Sequence, residues 1–410
     1  MMSEEFFTSS GLAADFAAQA RMGIYVHVPF CPHICPYCDF VKTSRFTRAD
    51  VLTYFQALQD QFDWALTQVP AEIQTVTLYF GGGTPSLFPS DYYLPLVEKI
   101  RSRFHIEELT VETNPFSNKE NSFKNWKELG VDRLTLGAQS LNSDVLAYLG
   151  RKHSREDVLR NIDQALSAGI SNVQVDLIFG VKKLPSERDL ASEVRELGRR
   201  GSTGVSCYLL TLEGETAFAN EESPADDSVV QEYHSLISAC EEMGFTQFET
   251  SNFSKSPAIH NRLYWYGLPY LGLGTGAHGL MPACESFPLG RRYQVGQLSP
   301  RDLPGDDRLS FATENERLFA IQWAEEKREC TDAQKEMIFT LLRTREGIPL
   351  RWLEILHSRH TLDAFWEDPR VQRSLNEGAL LRTGTHLKLP SHEKIRGDSW
   401  ALLLISLLHR

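Results

Sequence analysis

Three cysteines stand close together near the amino terminus, at Cys31, Cys35 and Cys38, with the spacing C-x3-C-x2-C. Three thiolates can each ligate one iron of a [4Fe–4S] cluster, which leaves the fourth iron without a protein ligand. An open iron can bind a small chelating molecule. A structural zinc site is the alternative, but zinc normally takes four protein ligands, and His33 lies between two of the cysteines, a poor position from which to complete the set. The triplet therefore favours an iron–sulfur cluster with an exchangeable ligand.

The cysteine loop follows the first of six short apolar runs rich in β-branched residues, which predict strands. These runs are Ile24–Val28, Val76–Phe80, Leu109–Glu112, Arg133–Gly137, Val173–Phe179 and Val205–Leu210. Amphipathic segments that predict helices separate them, and a further one follows: Ala49–Gln68, Asp91–Phe104, Phe123–Leu129, Arg155–Ala168, Ser186–Arg199 and Ser228–Met243. Successive β/α units predict a parallel sheet, which right-handed crossovers curl into part of a barrel. We therefore expect an α/β fold, a partial (β/α)6 barrel of TIM type.

The remainder of the chain predicts a different kind of structure. Phe248–Gly279 is rich in Gly, Asn and aromatic residues and is predicted to be an irregular functional loop, and Ser299–Arg308 is a turn-rich connection. Glu314–Lys327, Asp332–Arg343 and Leu350–His360 predict helices, and Leu380–Leu389 predicts a hairpin. We expect a small C-terminal helical domain with a β wing. The predicted divisions are an extension over 1–22, the barrel over 23–245, a loop and connecting segment over 246–305, and the C-terminal domain over 306–410.

Composition excludes several classes of protein. The 42 Lys+Arg against 54 Asp+Glu give a net charge of −12, the wrong sign for a nucleic-acid-binding protein. Seven cysteines are too few for a disulfide scaffold and indicate a reducing compartment. No basic residue precedes Arg21, which argues against a secretory or transit peptide, so we predict a cytoplasmic protein. The apolar tract Trp400–Leu408 is too short for a transmembrane helix. Peripheral contact with a membrane and a homodimer stay open.

Polar residues recur where the predicted strands end. The turn Gly81-Gly82-Gly83-Thr84-Pro85 follows the second strand, and glycine permits close approach of the main chain to a ligand. The others are Glu112, Gln139, Arg151 and Asp176, which lie in or just beyond the third, fourth and fifth strands. Each alone is read as a cap or a surface ion pair. Together they predict a site, because barrel active sites are assembled at the carboxyl ends of parallel strands.

The cysteine triplet, with an aromatic residue before its third cysteine, resembles the radical S-adenosylmethionine (SAM) superfamily, in which the amino and carboxylate groups of SAM bind the fourth iron. Longer strings resemble one branch, the oxygen-independent coproporphyrinogen dehydrogenases and the haem chaperones of HemW type: YVHVPFC, GGGTPS, ETNP, LGAQSL, LGRKH, DLIFG and GLGTGAH. This resemblance covers nearly the whole chain after about Gly23. It implies a [4Fe–4S] cluster on the three cysteines and SAM contacts at Tyr25, Gly82, Gly83, Thr84, Glu112, Gln139, Arg151, Asp176 and Thr211.

Two positions distinguish the members of that branch. The dehydrogenases have a fourth cysteine two residues after the third, where this chain has Phe40. The string His260-Asn261-Arg262-Leu263-Tyr264-Trp265 resembles the H-N-x-x-Y-W motif that is associated with haem binding in the chaperones. The resemblance therefore implies a haem chaperone that passes haem to an acceptor haemoprotein, with His260 as an axial ligand and Tyr264 and Trp265 against the porphyrin.

Alternatives remain at this point. The first is an oxygen-independent coproporphyrinogen III dehydrogenase, which keeps the same SAM contacts, so enzymatic activity stays open. The second alternative, a radical enzyme acting on tRNA, is disfavoured by the acidic composition of the chain. The third is a plain zinc-binding module. Arg291 and Arg292 are interpreted as a solvated basic turn rather than as partners of haem propionates.

Overall fold

A computed structural model of the chain describes residues 20–116, 122–182, 188–222, 225–282, 290–295, 321–323 and 330–409. Most of the predicted extension over 1–22, the predicted connection Ser299–Arg308 with the boundary at 305, and most of the predicted helix Glu314–Lys327 lie outside these residues.

The six predicted strands form a continuous parallel sheet in sequence order. They are β1 (Arg21–Val28), β2 (Thr75–Gly82), β3 (His105–Thr113), β4 (Arg133–Gln139), β5 (Asn172–Phe179) and β6 (Gly204–Leu209). In the described residues, the helices that connect or follow them are α1 (Arg48–Leu66), α2 (Leu94–Arg101), α3 (Ser122–Glu128), α4 (Ser143–Tyr148), α5 (Arg155–Ser167), α6 (Leu190–Arg200) and α7 (Asp226–Glu242). The predicted partial barrel of six β/α units is confirmed, and α4 is the helix that was not predicted.

Local sequence explains where these elements begin and what they bury. Helix α1 begins at a capping box made by Thr47 and Asp50, and α5 begins at a second one made by Ser154 and Asp157. Apolar side chains of all six strands are buried against the surrounding helices in one core. The carboxyl ends of the strands therefore have a rigid base on which loops can carry functional groups.

The segment that follows the barrel is more regular than the sequence predicts. Phe248–Gly279 was predicted to be an irregular loop. The structure has β7 (Thr246–Gln247) just before this segment and, within it, β8 (Asn252–Ser254), α8 (Ile259–Trp265), β9 (Tyr270–Leu273) and the start of β10 (His278–Met281). Strand β9 pairs in parallel with β1. It approaches β10 closely because Gly272 has no side chain: a Cβ there would lie 2.0 Å from the carbonyl oxygen of His278.

Two further strands extend this edge of the sheet, β11 (Arg291–Val295) and β12 (Ile321–Trp323). The sheet thus has the strand order β12-β11-β10-β9-β1-β2-β3-β4-β5-β6-β8-β7. The prediction of a helix over Glu314–Lys327 is wrong at 321–323, where the main chain pairs antiparallel with β11. The segment Ile321-Gln322-Trp323 is too short for its sequence to distinguish a strand from a helix, and the pairing with β11 makes it a strand.

The C-terminal part is helical, as predicted, with a small three-stranded sheet. Its elements are α9 (Cys330–Arg343), β13 (Ile348–Pro349), α10 (Leu350–Leu356), α11 (Arg359–Glu367), α12 (Pro369–Asn376), β14 (Leu381–Arg382), β15 (His386–Lys388) and α13 (Gly397–Leu408). They share a second apolar core, to which α8 contributes Leu263. Across the described ranges, no helix has the length and apolarity that crossing a membrane requires.

Candidate functional site

The cysteine loop lies between β1 and α1, at the carboxyl end of β1. Cys31 and Cys35 are buried, Cys38 is partly exposed, and all three are free thiols. Main-chain hydrogen bonds fix the loop at its base, from the Cys31 amide to the Thr43 carbonyl (2.9 Å) and from the Thr43 amide to the Pro29 carbonyl (2.8 Å). The loop therefore presents its sulfurs from a fixed position on the sheet.

Thr84 and Arg151 donate hydrogen bonds to these sulfurs, and His33 Nε2 lies 3.8 Å from Cys35 Sγ. Thr84 Oγ1 lies 3.8 Å from Cys31 Sγ, and Arg151 Nη1 lies 3.4 Å from Cys35 Sγ. Burial raises the pKa of the Cys31 thiol to about 11, although the Thr84 hydrogen bond opposes this rise. Metal ligation needs the thiolate, so binding of iron here must release a proton. Among the described residues, no three His, Cys, Asp or Glu side chains converge as the ligands of one metal ion would, whereas a cubane takes one thiolate per iron.

The glycine turn after β2 packs directly against the cysteine loop. Gly82 has a φ of +108°, and a Cβ at that position would lie 2.5 Å from the His27 ring. A Cβ on Gly83 would lie 2.8 Å from the carbonyl oxygen of Phe30. The Gly83 amide donates to the Val28 carbonyl at 2.8 Å. The turn and the loop can lie in contact only because these positions have no side chains.

Glu112 on β3 and Asp176 on β5 carry carboxyl groups whose charges interact across β4. Glu112 accepts hydrogen bonds from the Tyr79 hydroxyl (2.8 Å) and from the Gly82 amide (3.0 Å), and burial raises its pKa. Burial, and then the charge of Glu112, raise the pKa of Asp176 to about 7. Asp176 Oδ1 is buried and has no hydrogen-bond partner among the described residues. An unsatisfied acceptor in this position fits a ligand that supplies a hydroxyl or amino donor.

Two more of the predicted residues lie at β4: Gln139 ends the strand, and Arg151, which follows α4, reaches back to it. Gln139 has a φ of +67°, in the left-handed region, at an irregularity in the pairing of β4 with β5. Backbone of this kind in a residue other than glycine costs about 1–3 kcal/mol and is concentrated at functional sites. Arg151 donates from Nη2 to the Gly137 carbonyl at 2.7 Å. Thr211, by contrast, is exposed and lies beyond β6, so the structure does not bring its side chain into this group.

Comparisons with known proteins agree with this geometry. The profile of the radical SAM superfamily matches residues 25–194. The chain is 30% identical over 307 residues to the protein named haem chaperone HemW of Bacillus subtilis, which covers 71% of this chain and 80% of that protein. This chain belongs to the radical SAM superfamily. Within it, the chain falls in the HemN-like branch that includes HemW.

A second relative aligns with almost the whole length of this chain. It is radical S-adenosyl methionine domain-containing protein 1, mitochondrial, of Bos taurus, 33% identical over 405 residues, or 95% of this chain and 88% of that protein. The structure of coproporphyrinogen III oxidase (HemN) from Escherichia coli, described as a radical SAM enzyme, superposes with a TM-score of 0.72. It covers 97% of this chain and 92% of that chain at 16% identity, which shows a common fold. Membership of the superfamily implies a [4Fe–4S] cluster and SAM, and the three free thiols and the unsatisfied Asp176 oxygen fit those groups.

A cavity of about 650 Å³ extends from Tyr25 and Glu112, two of the predicted SAM contacts, to α8. Tyr25 and Glu112 line it near the sheet, and Tyr264, Trp265 and Arg343 line it on the side of the C-terminal helices. The indole Nε1 of Trp265 is buried and has no hydrogen-bond partner in the described part of the chain. One continuous space therefore joins the two groups of residues that the sequence singles out separately.

His260 also lines this cavity, and both of its ring nitrogens are engaged in hydrogen bonds. Nδ1 lies 2.7 Å from Thr77 Oγ1, Nε2 lies 2.6 Å from the Tyr264 hydroxyl, and the residue is 1% exposed. Burial, and then the charge of Arg133, lower the pKa of His260 to about 3, so the ring is neutral. A neutral imidazole can coordinate iron, but only after the hydroxyl of Tyr264 has left Nε2.

Helix α8 is held in place by a residue that the sequence analysis missed. The buried carboxylate of Glu108 on β3 accepts hydrogen bonds from the amides of Ile259 and His260, both at 3.1 Å. The signal available in the sequence was a glutamate beside the apolar run of β3, because a charged side chain that is buried in a sheet requires a partner. Thr77, Tyr79 and Arg343 were missed as well, since nothing near them in the sequence marks them as part of the site.

Proposed function

We propose that this protein is a haem chaperone, which binds haem in the 650 Å³ cavity and passes it to an acceptor haemoprotein. The observation that carries the proposal is the continuity of the cavity from Tyr25 and Glu112 to the aromatic side chains of Tyr264 and Trp265. Its volume lies within the range typical of ligand sites. The names of several relatives support the proposal.

The proposed cluster ligands are Cys31, Cys35 and Cys38, and the proposed SAM contacts are Tyr25, Gly82, Gly83, Thr84, Glu112, Gln139, Arg151, Asp176 and Thr211. The bound cluster would supply the electron for cleavage of SAM. The chain itself positions these groups: Arg151 places a positive charge beside Cys35 Sγ, and Asp176 offers Oδ1, which has no hydrogen-bond partner among the described residues. The glycine turn brings main-chain atoms to the same place without side chains in the way.

We propose His260 as the axial ligand of haem iron, with the rings of Tyr264 and Trp265 against the porphyrin. The hydrogen bond between His260 Nε2 and the Tyr264 hydroxyl must open first. Loss of a buried hydrogen bond costs about 1–3 kcal/mol. Removal of the Tyr264 hydroxyl should therefore favour coordination, whereas removal of the imidazole should abolish it.

The test is a haem titration under anaerobic conditions on cluster-loaded protein. In His260→Ala we expect at least a tenfold loss of affinity and a changed Soret band. In Tyr264→Phe we expect the wild-type Soret band with equal or tighter binding, and the exposed His360→Ala serves as the control. An unchanged affinity and Soret band in His260→Ala would remove His260 from the proposal. Absence of haem binding by the wild-type protein would reject the function.

The alternative function is that of an oxygen-independent coproporphyrinogen III dehydrogenase, which the likeness to HemN in fold favours. Phe40, at the position of the fourth cysteine of that family, argues against it, and its side chain is 68% exposed. Anaerobic incubation with coproporphyrinogen III, SAM and a reductant separates the two functions. Robust formation of protoporphyrinogen would overturn the preference for a chaperone.

The setting of this activity is part of the proposal. The five cysteines in the described ranges whose state is defined are free thiols, which suits a reducing compartment such as the cytoplasm. The proposed partners are haem and an acceptor haemoprotein, and nucleic acid is disfavoured by the acidic composition. A homodimer and peripheral contact with a membrane stay predictions.

A further inference from the structure

The cavity also contains one positive charge that neither the cluster nor the haem motif explains. We infer that Arg343 binds a carboxylate of the ligand, so that the site selects a tetrapyrrole with free acid side chains and fixes which edge of it faces the C-terminal helices. This inference rests on the proposed haem-binding function. It adds to that function a specificity-determining residue and an orientation.

Arg343 is placed where an acid side chain of such a ligand would lie. It is the last residue of α9, and among the described lining residues it is the single lysine or arginine. Its guanidinium carbon lies 5.8 Å from the centroid of the Trp265 ring. A planar ligand that packs against Trp265 would therefore have its edge beside this guanidinium, whose planar array of N–H groups suits a carboxylate.

The present partner of Arg343 can be replaced. Arg343 Nη2 lies 2.7 Å from Asp398 Oδ1, and the two side chains are 32% and 64% exposed. Ion pairs as exposed as this one are weak. A carboxylate of the ligand that enters from the cavity would meet the same guanidinium in a less exposed place, where the hydrogen bonds are stronger.

The other walls of the cavity disfavour a carboxylate. Glu112 and Asp39 line it near the sheet and the cysteine loop. Glu249 also lines it, is 1% exposed, and accepts hydrogen bonds from the Ser251 amide at 3.1 Å and from the Asn252 side-chain amide. Repulsion by Glu112 and Asp39 and attraction by Arg343 both direct the acid edge of the ligand toward α9, whereas Glu249 lies near enough to Arg343 for the two charges to interact.

The other basic residues considered for this role occupy a different place. Arg292 on β11 is absent from the described lining of the cavity and pairs with Glu336 at 3.0 Å. Arg291 also lies on β11, outside that lining. The geometry thus assigns carboxylate recognition to Arg343 rather than to the Arg291-Arg292 pair.

The test compares haem with haem dimethyl ester, in which both propionates are esterified, on cluster-loaded protein. We expect wild type to bind the free acid at least about tenfold more tightly than the ester, the scale of one charge-assisted hydrogen bond. In Arg343→Gln this ratio should fall to near one through loss of affinity for the free acid alone. Asp398→Asn should tighten binding of the free acid several-fold and leave the ester unchanged.

Arg396→Gln is the matched control, because Arg396 forms an exposed ion pair with Glu393 in the same part of the chain, at 3.4 Å. Circular dichroism and iron content show whether each variant folds and holds its cluster. Equal losses for both ligands in Arg343→Gln would mean that Arg343 supports Trp265 rather than binding a carboxylate. A wild-type ratio near one would overturn this inference alone, and absence of binding of either ligand would overturn the haem-binding function with it.

Discussion

Replacement of Asp176 by Asn is expected to stabilise the cofactor-free protein, and to do so more strongly as the pH rises. Asp176 lies in β5 with a buried Oδ1 that has no partner among the described residues. Burial, and then the charge of Glu112, raise its pKa from 3.8 to about 7. The cofactor-free protein therefore carries a carboxyl group in a place that suits its protonated form.

The sign and the size of the effect follow from these two pKa values. Because the folded-state pKa is raised, the stability that this group contributes is fully present below the unfolded value and is lost as the pH rises to about 7. The difference between the two pKa values corresponds to a cost of about 4 kcal/mol above pH 7 and about 2 kcal/mol at pH 5. The advantage of Asn over Asp should grow by about 2–3 kcal/mol between pH 5 and pH 8.

The assay is urea unfolding of cofactor-free wild type and Asp176→Asn at pH 5 and pH 8. Asp363→Asn, on the exposed face of α11, is the control and should change the free energy of unfolding by less than about 0.5 kcal/mol at both pH values. A difference between Asp176→Asn and wild type that does not vary with pH would refute the reasoning. The same substitution should weaken SAM binding, because a residue that destabilises the cofactor-free protein is often one that binds a ligand.

Two further substitutions test how the site is held together. Gly83→Ala places a Cβ 2.8 Å from main-chain atoms of the cysteine loop, so we expect less than half of the wild-type iron after reconstitution; Gly214→Ala, with no atom within 4 Å of its Cβ, should retain it. A full iron content in Gly83→Ala would show that the loop can move aside. Glu108→Gln weakens the anchor of α8 and should lower the free energy of unfolding at pH 8 by about 1–2 kcal/mol and reduce haem affinity. Glu107→Gln, on the same strand, should do neither, and equal effects of the two would contradict the anchoring role.

The sheet could be predicted from the sequence to different degrees in its two parts. Strands β1 to β6 are apolar runs flanked by amphipathic helices, a local pattern that identifies them without tertiary information. Strand β9 has four residues and lies between β1 and β10. This position depends on Gly272, which permits the close approach of β10. Helix α8 has seven residues, too few for stability on its own, and depends on Glu108.

The candidate site likewise has some residues that the local sequence identifies and others that only the folded chain brings together. The cysteine triplet and the glycine turn are contiguous motifs, so their residue types and spacing indicate their chemistry. The state of His260 is not a local property, because Thr77, which lies 2.7 Å from its Nδ1, is 183 residues away in the sequence. Nor could the role of Arg343 be predicted, because its nearness to Trp265 arises from the packing of α9 against α8.

The pairing of β9 with β1 has a consequence for how the protein is made. Strand β2, the first neighbour of β1, ends at Gly82, and β9, the second neighbour, begins at Tyr270, about 190 residues later. At roughly 5–20 residues per second, this delay is about 10 to 40 s. Throughout this delay β1 has a strand partner on one edge only, and the cysteine loop that follows β1 is already synthesised when β9 arrives to cover the other edge.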